Sequence, residues 1–230
     1  MSNEIRKGKY LVIEGIDGSG KSTHVNLLHK RILMETTLPF DIRRTPTSGP
    51  IGKLIRRQYL SGEQKIDPRV LQTLFAADHL ANDIDDHNVD FCDSVNTELL
   101  KGAHVIQDRG YMSGIAYGSS DLPMKELFMI YNYSASHINP DLVIFLDVAP
   151  EICIKRISKD REKLEIFETL ERLTKIREKY LELIDILQRR GENIQIIDWN
   201  DYGDQESVHE QLWERFITLC GISNIRDYLR

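Results

Sequence analysis

Residues 15–22, GIDGSGKS, are the part of the chain whose residue types and spacing most clearly indicate chemistry. They fit the pattern G-x-x-x-x-G-K-[ST], which surrounds the phosphates of a nucleoside triphosphate with backbone N–H groups. Glycines permit the tight turns that bring these groups together, and the helix that follows directs its positive end at the same anion. Lys21 is placed to reach the β- and γ-phosphates, and the Ser22 hydroxyl to hold Mg²⁺. The nucleotide-binding residues predicted here are Gly15, Asp17, Gly18, Ser19, Gly20, Lys21, Ser22 and Thr23.

A second charged pair, Asp108 and Arg109, follows a short apolar run. It places a carboxylate and a guanidinium at the carboxyl end of a buried strand, which is the edge where ligands bind in a doubly wound sheet. Asp108 could order Mg²⁺ or its waters, and Arg109 could make a forked contact with a phosphate. An ordinary ion pair at a strand end is the simpler alternative, and the dipeptide alone leaves both interpretations open.

The elements that must position these groups alternate between short apolar runs and helical patterns. Runs rich in aliphatic residues predict buried strands at Tyr10–Glu14, His104–Asp108 and Asp141–Val148. Phe40–Arg44 could be a second strand in chain order, and Asn193–Trp199 is predicted as the last strand. Apolar residues that recur every three or four positions predict helices at about 21–34, 50–60, 67–82, 88–101, 122–137, 162–190 and 205–220. This alternation predicts an α/β fold, a doubly wound parallel five-stranded sheet with helices on both faces, formed by residues 1–230 as a single domain.

Composition and charge exclude several other classes of protein. The 230 residues are 41% hydrophobic and 29% charged, which argues against a disordered or fibrous chain. No run of about eighteen uncharged apolar residues is present, and the start of the chain lacks a signal-peptide pattern, so no membrane association is expected. A net charge of −6 disfavours a nonspecific binder of nucleic acid. Three widely spaced cysteines fit a reducing compartment, so we expect a cytoplasmic globular protein.

The phosphate loop alone leaves open a GTPase, a motor ATPase or a small-molecule kinase, although no N-K-x-D sequence for reading guanine follows it. Four segments resemble the thymidylate kinase family in order and approximate separation: YLVIEGIDGSGKST, LFAADH, DRGYMSGIAYG and DLVIFLDVAPE. The resemblance extends from about Lys9 to Asp198, and the first and third segments together make it specific. It implies a P-loop nucleoside monophosphate kinase that uses ATP and Mg²⁺, acts on the small molecule thymidylate and forms a homodimer.

The resemblance also implies an acceptor pocket for thymidine monophosphate that faces the phosphate loop. Phe75 would stack on the thymine ring, for which its aromatic face is suited, although a core phenylalanine on a helix is the alternative. A bulky Tyr117 would exclude a 2′-hydroxyl. Asp17 would approach the sugar 3′-hydroxyl and the surroundings of the acceptor phosphate, near which Arg44 would also lie. The substrate-binding residues implied are Asp17, Arg44, Phe75, His79, Arg109, Ser113, Gly114 and Tyr117.

Two positions depart from the family pattern. His79 stands where the family usually has an arginine that hydrogen-bonds the base, and a neutral imidazole offers one donor at shorter reach. Gly110 takes the place of the tyrosine in the family's D-R-Y, and Tyr111 is the neighbour that could fill part of the space. These departures leave the breadth of base specificity open, and they leave open both a cellular source and a large DNA virus.

A charged segment at about 155–165 is similar to the lid of the family, which closes over ATP. Some members of the family carry a catalytic arginine inside the phosphate loop where this chain has Gly18, so the positive charge must come from elsewhere. Arg161 and Lys163, in the lid, are the candidates for this role. The catalytic residues that the resemblance implies are Lys21, Arg109, Asp17, Arg161 and Lys163. Arg156 matches a family residue that packs against adenine, a contact suited to a planar guanidinium. A solvated charged helix is the alternative interpretation of this segment.

The reaction implied moves the γ-phosphoryl group of ATP onto the phosphate of thymidylate, a step in dTTP synthesis. Because the second pKa of a phosphate monoester is about 6, the acceptor is mostly ionised at neutral pH and no general base is needed. In-line positioning and cations around the transferred group then suffice. Two alternatives stay open: a kinase for another nucleoside monophosphate or for a deoxynucleoside, and a nucleotide-binding module without catalysis.

Overall fold

The computed structural model of the chain describes residues 7–60, 65–84, 93–135, 138–160, 166–199 and 204–222. One sheet is formed in this part of the chain by β1 (Tyr10–Glu14), β2 (Phe40–Arg44), β3 (His104–Asp108), β4 (Leu142–Asp147) and β5 (Ile194–Asp198). Neighbouring strands are all parallel, in the order β2-β3-β1-β4-β5. The predicted five-stranded parallel sheet is confirmed, and the first three strands have the predicted bounds.

Helices connect and follow these strands. They are α1 (Lys21–Glu35), α2 (Pro50–Leu54), α3 (Pro68–Ile84), α4 (Val95–Leu100), α5 (Tyr111–Gly118), α6 (Met124–Ala135), α7 (Pro150–Asp160), α8 (Leu170–Arg189) and α9 (Gln205–Leu219). A π-helical segment, Ile55–Leu60, continues directly from α2. None of the helices in the described ranges combines the length and the apolar composition that crossing a membrane requires.

The strand order places helices on both faces of the sheet. The connection from β1 to β2 runs in one direction across the sheet, and the later connections to β3, β4 and β5 run in the other. Because such crossovers are right-handed, this reversal puts α1 on the opposite face from the helices of the later connections. In agreement, α1 packs against α9, whereas α5 packs against α3, α6 and α8. The reversal occurs at β1, so the carboxyl ends of β1 and its neighbours form the crevice where a doubly wound sheet binds ligands.

The central strand β1 and its neighbour β4 are buried along their whole length, as is typical of strands covered on both faces. Their aliphatic side chains lie at the centre of the hydrophobic core. Each of the two strands nevertheless ends in a buried carboxylate, Glu14 in β1 and Asp147 in β4. Both acidic residues therefore lie at the edge of the sheet where the crevice opens.

Several helices differ from the sequence-based expectation. The helix predicted over 162–190 begins only at Leu170, where Thr169 caps it by accepting a hydrogen bond from the N–H of Arg172. The helix predicted over 50–60 is divided into α2 and the π-helical segment, and α5 and α7 were not predicted as separate helices. Within the range 88–101, the described part is helical from Val95 to Leu100, and residues 85–92 lie outside the described residues.

Candidate active site

The phosphate loop connects the end of β1 to the start of α1, as the sequence predicts. Gly18 and Gly20 have φ angles of 77° and 90°, in the left-handed region that favours glycine. A Cβ on Gly18 would lie 2.5 Å from the carbonyl oxygen of Cys153, and one on Gly20 would lie 2.7 Å from the ring of Trp199. The loop therefore needs glycine at both positions, for its backbone conformation and for its close packing.

Lys21 is held against its own loop, with 5% of its surface exposed. Its Nζ donates hydrogen bonds to the carbonyl oxygen of Ile16 at 2.7 Å and to Oγ of Ser19 at 3.3 Å. Burial, followed by the nearby charge of Arg109, lowers the pKa of Lys21 to about 8. A polyphosphate bound to the loop would favour the protonated amine and so raise this pKa again.

Ser22 and Asp108 meet where α1 begins and β3 ends. The Ser22 hydroxyl donates a hydrogen bond to Oδ2 of Asp108 at 2.5 Å, and Nε of Arg44 lies 4.0 Å from the same oxygen. The other carboxylate oxygen, Oδ1 of Asp108, is buried and has no hydrogen-bond partner among the described residues. Mg²⁺ prefers oxygen ligands and is commonly held by one or two carboxylates together with substrate phosphates, so these two residues fit the ion.

Arg109 joins the phosphate loop to helix α5. Its Nη1 donates to the carbonyl oxygen of Gly15 at 3.2 Å and to Oγ of Ser113 at 3.1 Å. Its Nη2 donates to Oδ1 of Asp17 at 2.5 Å and to the hydroxyl of Tyr117 at 3.1 Å. The guanidinium also lies over the ring of Tyr117, 5.0 Å from the centroid. One cation thus connects the predicted donor-nucleotide site with the predicted sugar site.

Asp17 is fixed by the same network. Its Oδ2 accepts a hydrogen bond from the hydroxyl of Tyr117 at 2.9 Å, while its Oδ1 pairs with Arg109. Burial opposes ionisation of this carboxyl, but the charges of Arg109 and Lys21 outweigh that effect and lower its pKa. Asp17 is therefore an ionised, oriented carboxylate at the boundary between the loop and the neighbouring cleft.

Glu14 belongs to the site and was missed in the sequence. This fully buried residue accepts hydrogen bonds at Oε1 from the N–H groups of Gly110 at 2.8 Å and Ser113 at 3.2 Å. Its Oε2 accepts from the hydroxyls of Ser113 at 2.6 Å and Tyr180 at 2.9 Å. Burial raises the pKa of Glu14, partly opposed by these hydrogen bonds and by Arg109. The sequence does carry one signal for Glu14, because it is a charged residue at the end of an aliphatic strand. A charge buried there needs several hydrogen-bond partners, which indicates a built site.

A cleft of about 810 Å³ opens beside Arg109, next to the phosphate loop, and residues of α3 and α5 line it. All eight residues that the sequence analysis assigns to the acceptor line this cleft, from four separate segments of the chain. Phe167, which was expected in a helix, lines it as well, and its ring meets the ring of Tyr117 edge-on at 5.2 Å. Gln72 and Tyr131 are two further lining residues that were not predicted.

Comparison with known proteins agrees with this geometry. The profile of the thymidylate kinase family matches residues 13–212. A probable thymidylate kinase of Methanococcus maripaludis is 38% identical over 77% of this chain and 78% of its own length. A probable thymidylate kinase of Pyrobaculum calidifontis is 36% identical over 82% of this chain and 86% of its own length. A thymidylate kinase of Leptospira borgpetersenii is 33% identical over 77% of this chain and 82% of its own length. The chain belongs to the thymidylate kinase family. The predicted class of enzyme, an ATP-dependent nucleoside monophosphate kinase, is thereby confirmed.

The two departures from the thymidylate kinase pattern lie close together in the structure. The ring of Tyr111 stacks on that of His79, with 6.3 Å between centroids and 13° between planes. The hydroxyl of Tyr111 donates to Glu192 at 2.6 Å, and Nδ1 of His79 lies 3.6 Å from Oδ1 of Asp83. A narrow space beside Gly110 borders both rings and is too small to hold a water molecule. Tyr111 therefore supports His79, and the missing side chain at Gly110 leaves no cavity.

Arg156, in α7, lies on the other side of the phosphate loop. Its Nη1 donates to the carbonyl oxygen of Gly18 at 3.3 Å, and its guanidinium lies over the ring of Trp199, 4.2 Å from the centroid. Residues 155–160 of the predicted lid form the end of α7. The predicted lid cations Arg161 and Lys163 lie outside the described residues. The lid and its catalytic cations therefore stay a prediction.

Proposed function

We propose that this kinase transfers the γ-phosphoryl group of ATP to thymidine monophosphate, which gives thymidine diphosphate for dTTP synthesis. The observation that carries the proposal is the position of Arg109, whose guanidinium bonds both the phosphate loop at Gly15 and the cleft wall at Tyr117. A cation at this junction would stabilise the charge on a phosphoryl group as it passes between two nucleotides. Membership of the thymidylate kinase family supports the same reaction.

The shape of the cleft supports a deoxynucleoside monophosphate as the acceptor. Phe75 offers an aromatic face on which a pyrimidine base would stack. The hydroxyl of Tyr117 is bonded to Asp17 and Arg109, so its ring forms a fixed wall that would exclude a 2′-hydroxyl and leave it without a partner. The side chain of Arg44 is 63% exposed and lines the cleft, so its charge is available to the acceptor phosphate.

ATP would bind on the other side of the loop. The loop backbone and Lys21 would hold its phosphates, and the guanidinium of Arg156 would lie against the adenine. Ser22 and Asp108 would hold Mg²⁺, which supplies positive charge to the phosphates when it is bound. The lid at about 155–165 would close over ATP and exclude water, and its basic residues would supply the charge that Gly18 does not.

The residues of this chain need not remove a proton during the transfer. The acceptor phosphate has a second pKa of about 6 and is mostly ionised at neutral pH. Asp17 is paired with Arg109 and accepts from Tyr117, so its role would be to orient these two groups and not to act as a base. Catalysis would then come from positioning the two phosphates and from the cations Lys21 and Arg109 around them.

A panel of acceptors tests the proposed reaction. ADP formation would be followed by a coupled assay with ATP and dTMP, dUMP, dGMP, dCMP or thymidine. We expect dTMP to be among the best acceptors, and a Lys21→Ala variant, as the control, to lose turnover. If dTMP is a poor acceptor while another nucleotide is a good one, the protein is a kinase for that nucleotide. If ATP binds but no acceptor supports turnover, the protein is a binding module without catalysis.

We also infer a homodimer in the cytoplasm. The homodimer rests on the family resemblance, and sedimentation equilibrium of the full chain would measure it. The cytoplasmic location is supported by Cys153 and Cys220, which are free thiols and suit a reducing compartment. A large DNA virus as the source is supported only by the departures at His79 and Gly110, and the genome that encodes the chain would decide it.

A further inference from the structure

Gln72 is a buried polar residue on the cleft-facing side of α3. Its position, three residues before Phe75 and seven before His79, puts the three residues on one face of the helix. All three line the cleft, and Gln72 is only 3% exposed. A base stacked on Phe75 would therefore have one polar residue a turn before it and another a turn after it along the helix.

The amide of Gln72 is oriented by a contact from another helix. The hydroxyl of Tyr131, a buried residue of α6, donates a hydrogen bond to Oε1 of Gln72 at 3.0 Å. Gly114 makes room for this hydroxyl, because a Cβ at that position would lie 1.9 Å from it. This hydrogen bond occupies Oε1 and fixes the orientation of the amide. The Nε2 group is therefore the part of the side chain that remains to bind a ligand.

The Nε2 group of Gln72 is available as a hydrogen-bond donor. Among the described residues, none accepts a hydrogen bond from it. The imidazole of His79 does not fix whether the site offers a donor or an acceptor, because each ring nitrogen can be either one according to the tautomer. The amide of Gln72 thus presents a donor with a fixed direction to the base region of the cleft.

We propose that Gln72 reads the 4-position of the pyrimidine: its Nε2 donates a hydrogen bond to the 4-keto oxygen of thymine or uracil. This inference rests on the proposed function, since it assigns the residue that selects the acceptor base. Cytosine carries a 4-amino group, which would bring two donors together and leave both without an acceptor. A site built to bond one polar group rejects the analogue that cannot pair, because the buried partner is left unsatisfied.

The decisive measurement is the ratio of kcat/KM for dTMP to kcat/KM for dCMP. Gln72→Leu removes the donor with little change in volume, and we expect the ratio to fall by about 10- to 100-fold. The ratio of dTMP to dUMP should stay unchanged, because both bases carry the 4-keto oxygen. Gln195→Leu is the matched control: it makes the same chemical change on the exposed face of β5 and should alter neither ratio.

A second variant tests the orientation of the amide while Gln72 is kept. Tyr131→Phe removes the hydroxyl that engages Oε1, so the amide can turn over and present its oxygen to an amino group. We expect this variant to accept dCMP better relative to dTMP, with a ratio at least about 3-fold lower than that of the wild type. It also preserves the test if Gln72→Leu does not fold.

The outcomes separate this inference from the proposed function. If the wild type does not use dTMP, the proposed function fails. If the wild type uses dTMP but the ratio of dTMP to dCMP is unchanged in both Gln72→Leu and Tyr131→Phe, only the role of Gln72 is overturned. A parallel loss of kcat/KM for dTMP and dCMP in both variants would likewise overturn it, since that result indicates a structural role.

Discussion

Replacing Glu14 tests whether its hydrogen bonds hold the start of α5 beside the phosphate loop. In a Glu14→Leu variant, the buried N–H of Gly110 would lose its acceptor, whereas the N–H of Ser113 would keep its second acceptor, the carbonyl oxygen of Gly110 at 3.2 Å. One unsatisfied buried N–H costs about 1–3 kcal/mol, so we expect the free energy of unfolding to fall by about 1–3 kcal/mol. The hydroxyls of Ser113 and Tyr180 are 2.7 Å apart and can still bond each other, so they add little. Glu14→Gln keeps one oxygen for the two N–H groups and should cost only about 1 kcal/mol.

Urea unfolding of the wild type and both variants at pH 7 would measure these differences. Ser113 bonds both Glu14 and Arg109, so its displacement should also reduce turnover more in the leucine variant than in the glutamine variant. Glu178→Leu makes the same change on the exposed face of α8, and as a control it should alter stability by no more than about 0.5 kcal/mol. Equal losses of stability in Glu14→Leu and Glu14→Gln would refute the reasoning, because they would show that the hydrogen bonds contribute little.

The difference in unfolding free energy between the wild type and Glu14→Gln should depend on pH, and the direction of that dependence can be predicted. Burial raises the pKa of Glu14 in the folded chain above the ordinary value of 4.5, so the folded state retains a proton that the unfolded state loses. The stability linked to this proton is fully present below pH 4.5 and is lost as the pH rises through the folded pKa. Glutamine does not ionise, so the wild type should lose stability relative to Glu14→Gln as the pH rises. A difference that is constant with pH would contradict the raised pKa.

Three further predictions concern the nucleotide sites. Lys21→Met should lower turnover by about 10²- to 10³-fold, and in the wild type the KM for ATP should rise as the pH passes through about 8, where Lys21 loses its proton. Tyr117→Ala should raise kcat/KM for UMP relative to dUMP by about 10-fold, because the wall that excludes a 2′-hydroxyl is removed. In a Trp213→Phe protein, ATP should change the fluorescence of Trp199, because Arg156 lies over its ring, and Arg156→Ala should abolish the change.

Each of these predictions has an outcome that would contradict it. A KM for ATP with the same dependence on pH in the wild type and in Lys21→Met would mean that another group titrates. An unchanged ratio of UMP to dUMP in Tyr117→Ala would remove this residue from sugar selection. Fluorescence of Trp199 that ATP does not alter would argue against adenine binding at Arg156.

Strands β1, β3 and β4 could be predicted from the sequence because parallel strands covered on both faces are short aliphatic runs with clear ends. The edge strands β2 and β5 are partly exposed and contain polar residues, so their signal in the sequence is weaker. Helix α5 was missed for the opposite reason: Tyr111–Gly118 is apolar on nearly every side and contains two glycines, so it shows neither a polar face nor high helix propensity. The start of α8 was misplaced because the apolar spacing continues through Thr169. Only the hydrogen bond that this residue accepts from Arg172 shows where the helix begins, and it leaves Phe167 outside the helix, in the cleft wall.

In the site as well, residues that belong to a local sequence motif could be predicted, whereas residues defined by partners far away in the chain could not. The phosphate loop was predictable because a motif of eight adjacent residues specifies it. The acceptor residues were assigned by family resemblance, and the structure brings them into one cleft. Glu14 and Gln72 were not found, because their partners are far away in the chain: Gly110 is 96 positions from the first, and Tyr131 is 59 positions from the second. No local pattern contains such a pair.

The backbone of Arg109 shows how the sheet positions the cation between the two nucleotide sites. Its φ angle of 71° lies in the left-handed region, which costs a residue other than glycine about 1–2 kcal/mol. Its N–H donates to the carbonyl oxygen of Ile13 at 3.0 Å, and its own carbonyl oxygen accepts from Thr45 Oγ1 and from Gln107 Nε2, both at 2.8 Å. Bonds from β1, from the residue after β2 and from β3 thus hold the strained conformation. The cation is therefore placed by the sheet before either substrate binds, and no reorganisation is needed when charge develops between them.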